Sequence, residues 1–288
     1  MNSISVIIPT FNRKALLKRA LGSVLKQTLQ PDEIIVIDNG SNDGTVKMLG
    51  NEYPSIICIE IARKGVSVAR NAGILKAKSQ WIAFLDSDDV WHPKKLEIQR
   101  SEYYQNGQCY RLIHTNELWY KNNTILNQKM HHEKKGGDIF FDCLKRCCIS
   151  PSSALIKAEV FSEIGVFKEN LLVCEDYDLW LRITAREPVL FVSQALTIKH
   201  GGHEDQLSKK FWGMDRFRVR ALGDLLKNKE LSSKHRVAIF SMIFEKIDIL
   251  LSGGLKRSNQ KLVDIYLKKK AYFKACYAKE FGQGNRRQ

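Results

Sequence analysis

The sequence lacks an apolar run long enough to cross a lipid bilayer. The longest apolar stretches, such as residues 237–244, are interrupted by Glu245, Lys246 and Asp248 well short of the roughly 20 residues that a transmembrane helix needs. The N-terminus also lacks the cationic start of a secretory signal and runs directly into an apolar segment. We therefore expect a cytoplasmic protein.

Paired cysteines of the Cys-x-x-Cys type, which bind zinc or perform redox chemistry, are also missing. The seven cysteines are odd in number, so we expect reduced thiols. Cys143, Cys147 and Cys148 are spaced as on a helix. Core packing is the favoured interpretation of this cluster and metal binding the alternative.

The two glycine-rich signatures of nucleotide phosphate binding, GxxxxGK[ST] and a strand-linked GxGxxG, are both absent. A dinucleotide-dependent oxidoreductase would place an acid such as Asp38 after a strand, but the missing glycine fingerprint counts against this class. Any phosphate must therefore be held by another device.

What is present is a chain of 288 residues with 44 % hydrophobic content, enough to bury the core of a large α/β domain. Apolar runs that predict strands alternate with amphipathic stretches that predict helices, which indicates a mostly parallel sheet. The predicted strands are 5–9, 33–38, 56–61 and 81–86, and the predicted helices are 15–27, 46–51 and 68–77. Ligands of such sheets bind beyond the carboxyl ends of the strands, where Thr10, Asp38 and Asp86 fall.

In the second half of the sequence, the predicted strands and helices alternate less regularly. We expect strands at 112–120, 153–156 and 189–198, a turn at Asn122-Asn123, and helices from Asp138, over 158–165 and over 176–187. From about Leu207 the pattern is entirely helical. Residues 205–288 carry 20 Lys and Arg against 8 Asp and Glu, which is +12 of the total formal charge of +15. This basic segment is either a solvated helical surface or a surface for an anionic partner.

Three carboxylates occur within four residues in Asp86-Ser-Asp88-Asp89, at the end of a predicted strand. Such a cluster is expected to repel itself unless a divalent cation holds it, and hard oxygen ligands suit Mg²⁺ or Mn²⁺ bridging to a diphosphate. The alternative is an acid-rich turn or a helix N-cap.

Five motifs occur in the order seen in family 2 glycosyltransferases of the GT-A fold, which this chain resembles over residues 4 to about 208. They are Ile7-Ile-Pro-Thr-Phe-Asn-Arg13, Ile37-Asp-Asn-Gly-Ser-Asn-Asp-Gly-Thr45, Ala69-Arg-Asn-Ala-Gly73, Asp86-Ser-Asp-Asp89 and Glu175-Asp-Tyr-Asp-Leu-Trp-Leu-Arg182. Five ordered motifs are far more specific than any one of them.

The resemblance implies an α/β GT-A fold, Rossmann-like, with a mostly parallel central sheet flanked by helices. Its domain would cover 1–208, with a nucleotide-binding half at 1–106 and an acceptor-binding half at 107–208, and 209–288 would form a basic helical extension. It implies an inverting hexosyltransferase of cell-envelope polysaccharide synthesis that moves a UDP-linked sugar to a hydroxyl of a glycan or lipid-linked acceptor. The alternative is a catalytically silent interaction protein with a basic tail.

Donor-binding residues follow from the resemblance, position by position. Thr10 and Asn12 would line the nucleotide pocket, and Asp38 would contact the base. Arg70 would lie beside the diphosphate, and Asp86 would hold the ribose. The second motif has a single acid where family members often have two, and Asp38 could instead cap the turn that follows its strand.

The resemblance also assigns the metal and the catalytic base. Asp88 of the Asp-x-Asp motif would be the main protein ligand to Mn²⁺ or Mg²⁺, and His203 would complete the metal shell; the alternative for His203 is an ordinary surface or core histidine, and His200 is the weaker candidate. Asp176 would act as general base on the acceptor hydroxyl. The alternative for the Glu175-Asp176 pair is helix capping.

The expected partners are a nucleotide sugar and a glycan or lipid-linked acceptor, with no nucleic acid. Residues 209–288 are predicted to form basic amphipathic helices that dock on the inner leaflet of the membrane, where lipid-linked acceptors reside. The protein would then be peripheral at that membrane. Helix-mediated formation of a homodimer is the competing interpretation.

Overall fold

The computed structural model of the chain describes residues 1, 3–121, 124–126, 133–202 and 211–282. The chain divides into two compact units, Met1–Gln206 and Leu207–Gln288. The assignment of 1–106 to the donor and of 107–208 to the acceptor stays a prediction.

The first half of the first unit alternates strands and helices. It contains β1 (Ile4–Thr10), α1 (Lys14–Leu25), β2 (Glu33–Asp38), α2 (Thr45–Glu52), β3 (Ile57–Glu60), α3 (Val66–Lys76), β4 (Trp81–Phe84), β5 (Val90–Trp91) and α4 (Lys95–Gln105). Apart from the two-residue β5, each of the strands coincides with an apolar run that the sequence predicts.

The second half of this unit is less regular. It contains β6 (Leu112–Lys121), β7 (Thr124–Leu126), α5 (Phe140–Lys145), a 3₁₀ turn (Pro151–Ser153), β8 (Ala154–Lys157), α6 (Glu159–Glu163), α7 (Glu175–Thr184) and β9 (Leu190–Gly201). The turn predicted at 122–123 lies outside the described residues.

Nine strands of the described residues form one sheet in the order β3-β2-β1-β4-β8-β6-β9-β5, with β7 paired to β6. The four strands from β3 to β4 are parallel, whereas β8 runs antiparallel to both β4 and β6. Strand β9 is parallel to β6, and β5 is antiparallel to β9. The predicted α/β sheet with a mostly parallel core is confirmed.

Helix α3 lies unusually close to the central strand β1. A Cβ atom placed on Gly73 would overlap Ile7 Cγ2 and lie 3.1 Å from Ile7 Cδ1. Glycine at this position therefore lets the helix backbone approach the sheet, and it fixes the depth at which Arg70, one turn earlier on the same helix, meets the strand ends.

Two local predictions are wrong. Helix α5 ends at Lys145, so Cys147 and Cys148 lie beyond it and do not continue the helical spacing from Cys143. Cys143 and Cys148 are buried as expected, whereas Cys147 is only partly buried and contacts the carboxylate of Asp176. The strand predicted to end at Asp86 ends at Phe84, because the chain turns there toward the acid cluster.

The described residues of the second unit form the helices α8 (Asp215–Leu225), α9 (Ser233–Lys256) and α10 (Gln260–Phe281), with α9 packed against both others. Ser232 caps α9 by accepting a hydrogen bond from the His235 amide at 3.2 Å, and Asn259 caps α10 by accepting from the Leu262 amide at 3.1 Å. Among the described residues, no helix combines the length and apolarity that a membrane crossing requires.

Candidate active site

Polar side chains collect where the parallel strands end. Thr10 and Asp38 are register partners at the last positions of β1 and β2, and Asp86 follows β4 by two residues. Because β1, β2 and β4 are parallel neighbours, these three residues share one edge of the sheet. The structure thus brings together three of the residues that the sequence analysis selects for donor binding.

Asp38 is fully buried, and the two oxygens of its carboxylate differ in their hydrogen bonding. Its Oδ2 accepts hydrogen bonds from the amides of Gly40 at 3.1 Å and Ser41 at 2.8 Å, so it does cap the turn after β2. Its Oδ1 has no hydrogen-bond partner within the described part of the chain, and neither does the buried Oγ1 of Thr10. Buried polar atoms without partners are costly, which marks this spot as one where a ligand can supply the missing bonds.

Asn12 connects the loop after β1 to the loop after β2. Its amide donates to Ser41 Oγ at 2.8 Å, and its side-chain oxygen accepts from the Asn42 amide at 2.8 Å. The residue adopts a positive φ of 49°, which asparagine tolerates better than most residues. Asn12 therefore shapes the rim of the edge, and its side-chain oxygen is engaged within the protein.

Arg70 joins the two halves of the site. Its guanidinium is buried and bonds Asp86 Oδ1 through Nη2 at 2.6 Å and Glu175 Oε1 through Nη1 at 2.7 Å. Burial alone would lower the pKa of Arg70, but Asp86 and Glu175 raise it above its ordinary value. One side chain thus holds the acid motif of residues 86–89 next to the acid pair at the start of α7, although 89 positions separate Asp86 from Glu175.

Each acid of the 86–89 cluster has a cation of its own. Arg70 pairs with Asp86, Arg13 Nη1 lies 2.9 Å from Asp88 Oδ2, and Lys199 Nζ lies 3.7 Å from Asp89 Oδ2. These cations neutralise part of the charge of the cluster, and the expected divalent cation stays a prediction. Protein cations that are distant in sequence supply that neutralisation, and a pattern of local acids could not reveal them.

Asp89 is the buried member of the cluster. Its Oδ2 accepts from Ser152 Oγ at 2.6 Å, and its Oδ1 accepts from the His200 amide at 3.4 Å. Burial and the neighbouring carboxylates Asp88 and Asp86 raise the pKa of Asp89 to about 7. Ser152 Oγ also accepts from the Asp86 amide at 3.0 Å, so one serine fixes both ends of the motif.

Of the two residues predicted to bind the metal, Asp88 lies among the described residues. Asp88 lies at the site edge with a side chain that is partly exposed, whereas His203 lies outside the described residues. Within the described ranges, no three His, Cys, Asp or Glu side chains converge as a ready-made metal cage. His200, the weaker histidine candidate, stacks its ring against Tyr120 with centroids 5.6 Å apart.

The acid pair opens α7 in a strained turn. Cys174 occupies the N-cap position with a left-handed φ of 62°, so neither Glu175 nor Asp176 is the capping residue. Burial and Asp176 raise the pKa of Glu175 to about 7. The partly exposed Asp176 accepts from its neighbour's amide, Tyr177 N, at 2.7 Å through Oδ1 and from Cys147 Sγ at 3.2 Å through Oδ2.

Four residues of this site are not selected by the sequence analysis as individual candidates for it. They are Arg13, Cys147, Ser152 and Lys199. Arg13 belongs to the first motif and could have been singled out from it. Cys147 belongs to the cysteine cluster noted in the sequence, but its spacing favours core packing and not a contact with Asp176. Ser152 and Lys199 carry no local signal, because their role depends on contacts with residues that are distant along the chain.

The site can therefore hold an anionic ligand at a sheet edge, between buried hydrogen-bonding atoms on one side and a guanidinium-linked set of carboxylates on the other. Cations at Arg13, Arg70 and Lys199 border it, and a partly exposed carboxylate at Asp176 is positioned to accept a proton. This combination suits a transfer reaction with an anionic leaving group.

Comparison with known proteins identifies the family. The chain is 30 % identical over 219 residues to an uncharacterized glycosyltransferase of Rickettsia felis, covering 72 % of this chain but only 35 % of that protein. It is 31 % identical to the UDP-Glc:alpha-D-GlcNAc-diphosphoundecaprenol beta-1,3-glucosyltransferase WfgD of Escherichia coli, covering 62 % of this chain and 69 % of that one.

The fold matches a solved structure. The crystal structure of S. aureus TarS 1-349 in complex with UDP-GlcNAc superposes with a TM-score of 0.73 at 17 % identity, over 94 % of this chain and 81 % of that one. At this identity the match concerns the fold, which is GT-A. The family model described as Glycosyl transferase family 2 matches residues 5–165. This chain belongs to glycosyl transferase family 2 and is a glycosyltransferase.

Proposed function

We propose that the chain transfers a hexose from a UDP-linked sugar to a hydroxyl of a glycan or lipid-linked acceptor in cell-envelope polysaccharide synthesis, with inversion at the anomeric carbon. The observation that carries the proposal is the Arg70 bridge, which joins Asp86 to Glu175 at the edge where Thr10 and Asp38 end their strands. The choice of UDP is supported by the ligand of the TarS crystal structure and by the donor in the name of WfgD.

The donor is bound in this proposal by groups that the protein leaves partly unused. Asp38 Oδ1 and Thr10 Oγ1 offer hydrogen bonds to the base, and Asn12 shapes the adjacent rim. Asp86 uses Oδ1 for Arg70 and keeps Oδ2 for the ribose hydroxyls. Arg70 and Arg13 lie where cationic charge favours a diphosphate.

The transfer proceeds as a single displacement. The acceptor oxygen forms a bond to the anomeric carbon as the bond from that carbon to the diphosphate oxygen breaks, and the acceptor proton passes to the carboxylate of Asp176. The leaving diphosphate is anionic and needs no proton, so one catalytic carboxylate suffices, in contrast to a hydrolase that must protonate its leaving group. Arg70 and Arg13 stabilise the charge that develops on the leaving group.

The residues present fit a Mn²⁺ or Mg²⁺ ion that is held mainly by the donor. Such ions bind in other enzymes through one or two carboxylates plus substrate phosphates, without a dedicated protein cage. Asp88 supplies one hard carboxylate at the site edge, and His203 is the second ligand of the proposal. When bound, the ion would add positive charge beside the diphosphate.

The C-terminal unit is proposed to attach the enzyme to the inner face of the membrane, where the acceptor of WfgD-like transfer is lipid-linked. Its helices carry a groove of about 690 Å³ that combines aromatic side chains such as Phe240 and Phe273 with cations such as Arg220 and Lys269. A surface of this composition suits anionic lipid.

The test of the reaction is transfer from labelled UDP-sugars to lipid-linked or glycan acceptors in the presence of Mn²⁺. We expect Asp176→Asn to lower kcat by at least about 1,000-fold with little change in donor binding, because the base contributes only to the chemical step. Asp88→Ala should abolish the metal dependence of donor binding. The matched control is Asp264→Asn on α10, whose side chain accepts from Gln260 at the surface.

The anomeric configuration of the product shows whether the reaction inverts, and the variants distinguish an enzyme from an interaction protein. An axial-to-equatorial change at the anomeric carbon, read by NMR, is the expected result. An affinity for UDP-sugars that changes neither with metal nor with Asp88→Ala, without any transfer or donor hydrolysis, would instead identify a catalytically silent interaction protein.

A further inference from the structure

A thiol is bonded to the carboxylate that the proposed reaction uses as its base. Cys147 Sγ lies 3.2 Å from Asp176 Oδ2, and the Tyr177 amide lies 2.7 Å from Asp176 Oδ1. Both oxygens of the carboxylate therefore have a donor from the protein. A carboxylate held at both oxygens cannot rotate freely, and each oxygen keeps further lone pairs for an incoming proton.

The thiol has one proton and two acceptors within reach. Besides Asp176 Oδ2, the Ile149 carbonyl oxygen lies 3.3 Å from Cys147 Sγ. Hydrogen bonds to charged acceptors are about twice as strong as those to neutral ones, so the Asp176 carboxylate is the stronger acceptor for the Cys147 proton. The thiol therefore donates to Asp176 Oδ2 in preference to the Ile149 carbonyl oxygen.

The Cys147 thiol stays protonated at neutral pH. Burial and the nearby Asp176 raise the pKa of the Cys147 thiol well above its ordinary value. The group is therefore a hydrogen-bond donor at neutral pH and a poor nucleophile, which argues against a covalent role. Its neighbours Cys143 and Cys148 are buried in the core, so Cys147 is the member of the cysteine cluster that faces the site.

We infer that Cys147 is a positioning residue for the transfer reaction, whose thiol fixes the orientation of the Asp176 carboxylate. The inference rests on the proposed role of Asp176 as base. Cys147 lies in the segment between α5 and the 3₁₀ turn, and Asp176 is the second residue of α7, so the contact joins two segments that are 29 positions apart in the chain.

Other charged groups face this pair and must be separated from its effect. They are Arg70 from α3, Glu175 on the same helix, and Lys134 and Cys148 from the segments beside α5. Glu175 and Cys148 are the two of these groups whose own titration falls near neutral pH, each at a pKa of about 7. The experiment is therefore made in the wild-type protein and in the variants Glu175→Gln and Cys148→Ala.

The kinetic test compares Cys147→Ala, which has no donor, with Cys147→Ser, which keeps one. For the alanine variant we expect about a fivefold to tenfold lower kcat and a donor KM within about twofold of wild type. The serine variant should recover kcat to within about threefold. The loss in the alanine variant and the recovery in the serine variant should persist in the Glu175→Gln and Cys148→Ala backgrounds, and Cys109→Ala, at an exposed thiol, should behave as wild type.

An infrared measurement tests the contact without relying on activity. The S–H stretching band of Cys147, identified by its loss in Cys147→Ala, should move in Asp176→Asn, because a neutral amide oxygen accepts more weakly than a carboxylate. A wild-type kcat in Cys147→Ala, or an S–H band that does not move in Asp176→Asn, would overturn the inference. Full transfer activity in Asp176→Asn would instead refute the proposed base.

Discussion

At the scale of single residues, this site depends on how opposite charges are paired. Arg70 neutralises Asp86 and Glu175, while Arg13 and Lys199 neutralise the other two acids of the 86–89 motif. The motif residues are easily selected from the sequence because they sit at strand ends. Their cations are not, because a residue at position 199 gives no sign that it faces position 89.

Glu175 makes this pairing measurable through pH. Its pKa rises from an ordinary value of 4.5 to about 7 because of burial and the adjacent Asp176. Between those pH values the native protein keeps a proton that the unfolded chain has lost, so the stability contributed by this group is complete below pH 4.5 and is lost as the pH rises through 7.

Glu175→Gln removes that titration and keeps an acceptor for Arg70. We expect the free energy of unfolding of the variant, relative to wild type, to increase by on the order of 1 kcal/mol or more between about pH 5 and about pH 8. Denaturant titrations at the two pH values measure it. Glu52→Gln, at an exposed acid, is the control, and a Glu175→Gln difference that is flat with pH would contradict the prediction.

At the scale of elements, the short distance between α3 and β1 decides where the central cation lies. Gly73 allows the contact with Ile7, and Arg70 one turn earlier then reaches the strand ends. The sequence predicts both the helix and the strand from their apolar patterns. It does not predict the close approach, because the partner of a glycine is known only after the elements pack.

Gly73→Ala is expected to destabilise the protein by about 1–3 kcal/mol, because its methyl group would overlap Ile7 in a packed core. The same change at Gly22 in α1, where a Cβ has no atom within 4 Å, should be neutral or stabilise by up to about 1 kcal/mol. Thermal unfolding measures both variants. Equal effects at the two sites would show that helix propensity, not the contact with β1, determines the result.

At the scale of the whole molecule, charge is distributed unevenly between the two units. Residues 205–288 hold +12 of the total +15, and many of their lysines are exposed on α10. This asymmetry is visible in the sequence alone. The three helices turn it into a surface with cations and aromatic side chains around one groove.

Charge reversal tests the proposed membrane attachment. Changing Lys268, Lys269 and Lys274 to Glu should reduce co-sedimentation with phosphatidylglycerol vesicles at least about tenfold, because each cation near an anionic surface contributes about 1 kcal/mol. Binding of the wild-type protein should also weaken as salt is raised.

The control reverses three exposed lysines of the first unit, Lys26, Lys47 and Lys76, and changes the net charge by the same amount. Equal losses in the two triple variants, or equal recovery with phosphatidylcholine vesicles, would remove the membrane proposal. A change in the sedimentation coefficient of the α10 variant without lipid would point to the homodimer instead.

The amino-acid sequence by itself determined the α/β alternation, the strand-end positions of Thr10, Asp38 and Asp86, the basic tail and, through five ordered motifs, the family. These properties depend on local periodicity and on residue order, which a chain displays before it folds. The pairing of Asp86 and Glu175 through Arg70, the individual cations of the acid cluster and the thiol on Asp176 were decided by the tertiary structure. They are contacts between segments that are distant along the chain, and only the packing of the sheet and its helices brings such segments within hydrogen-bonding distance.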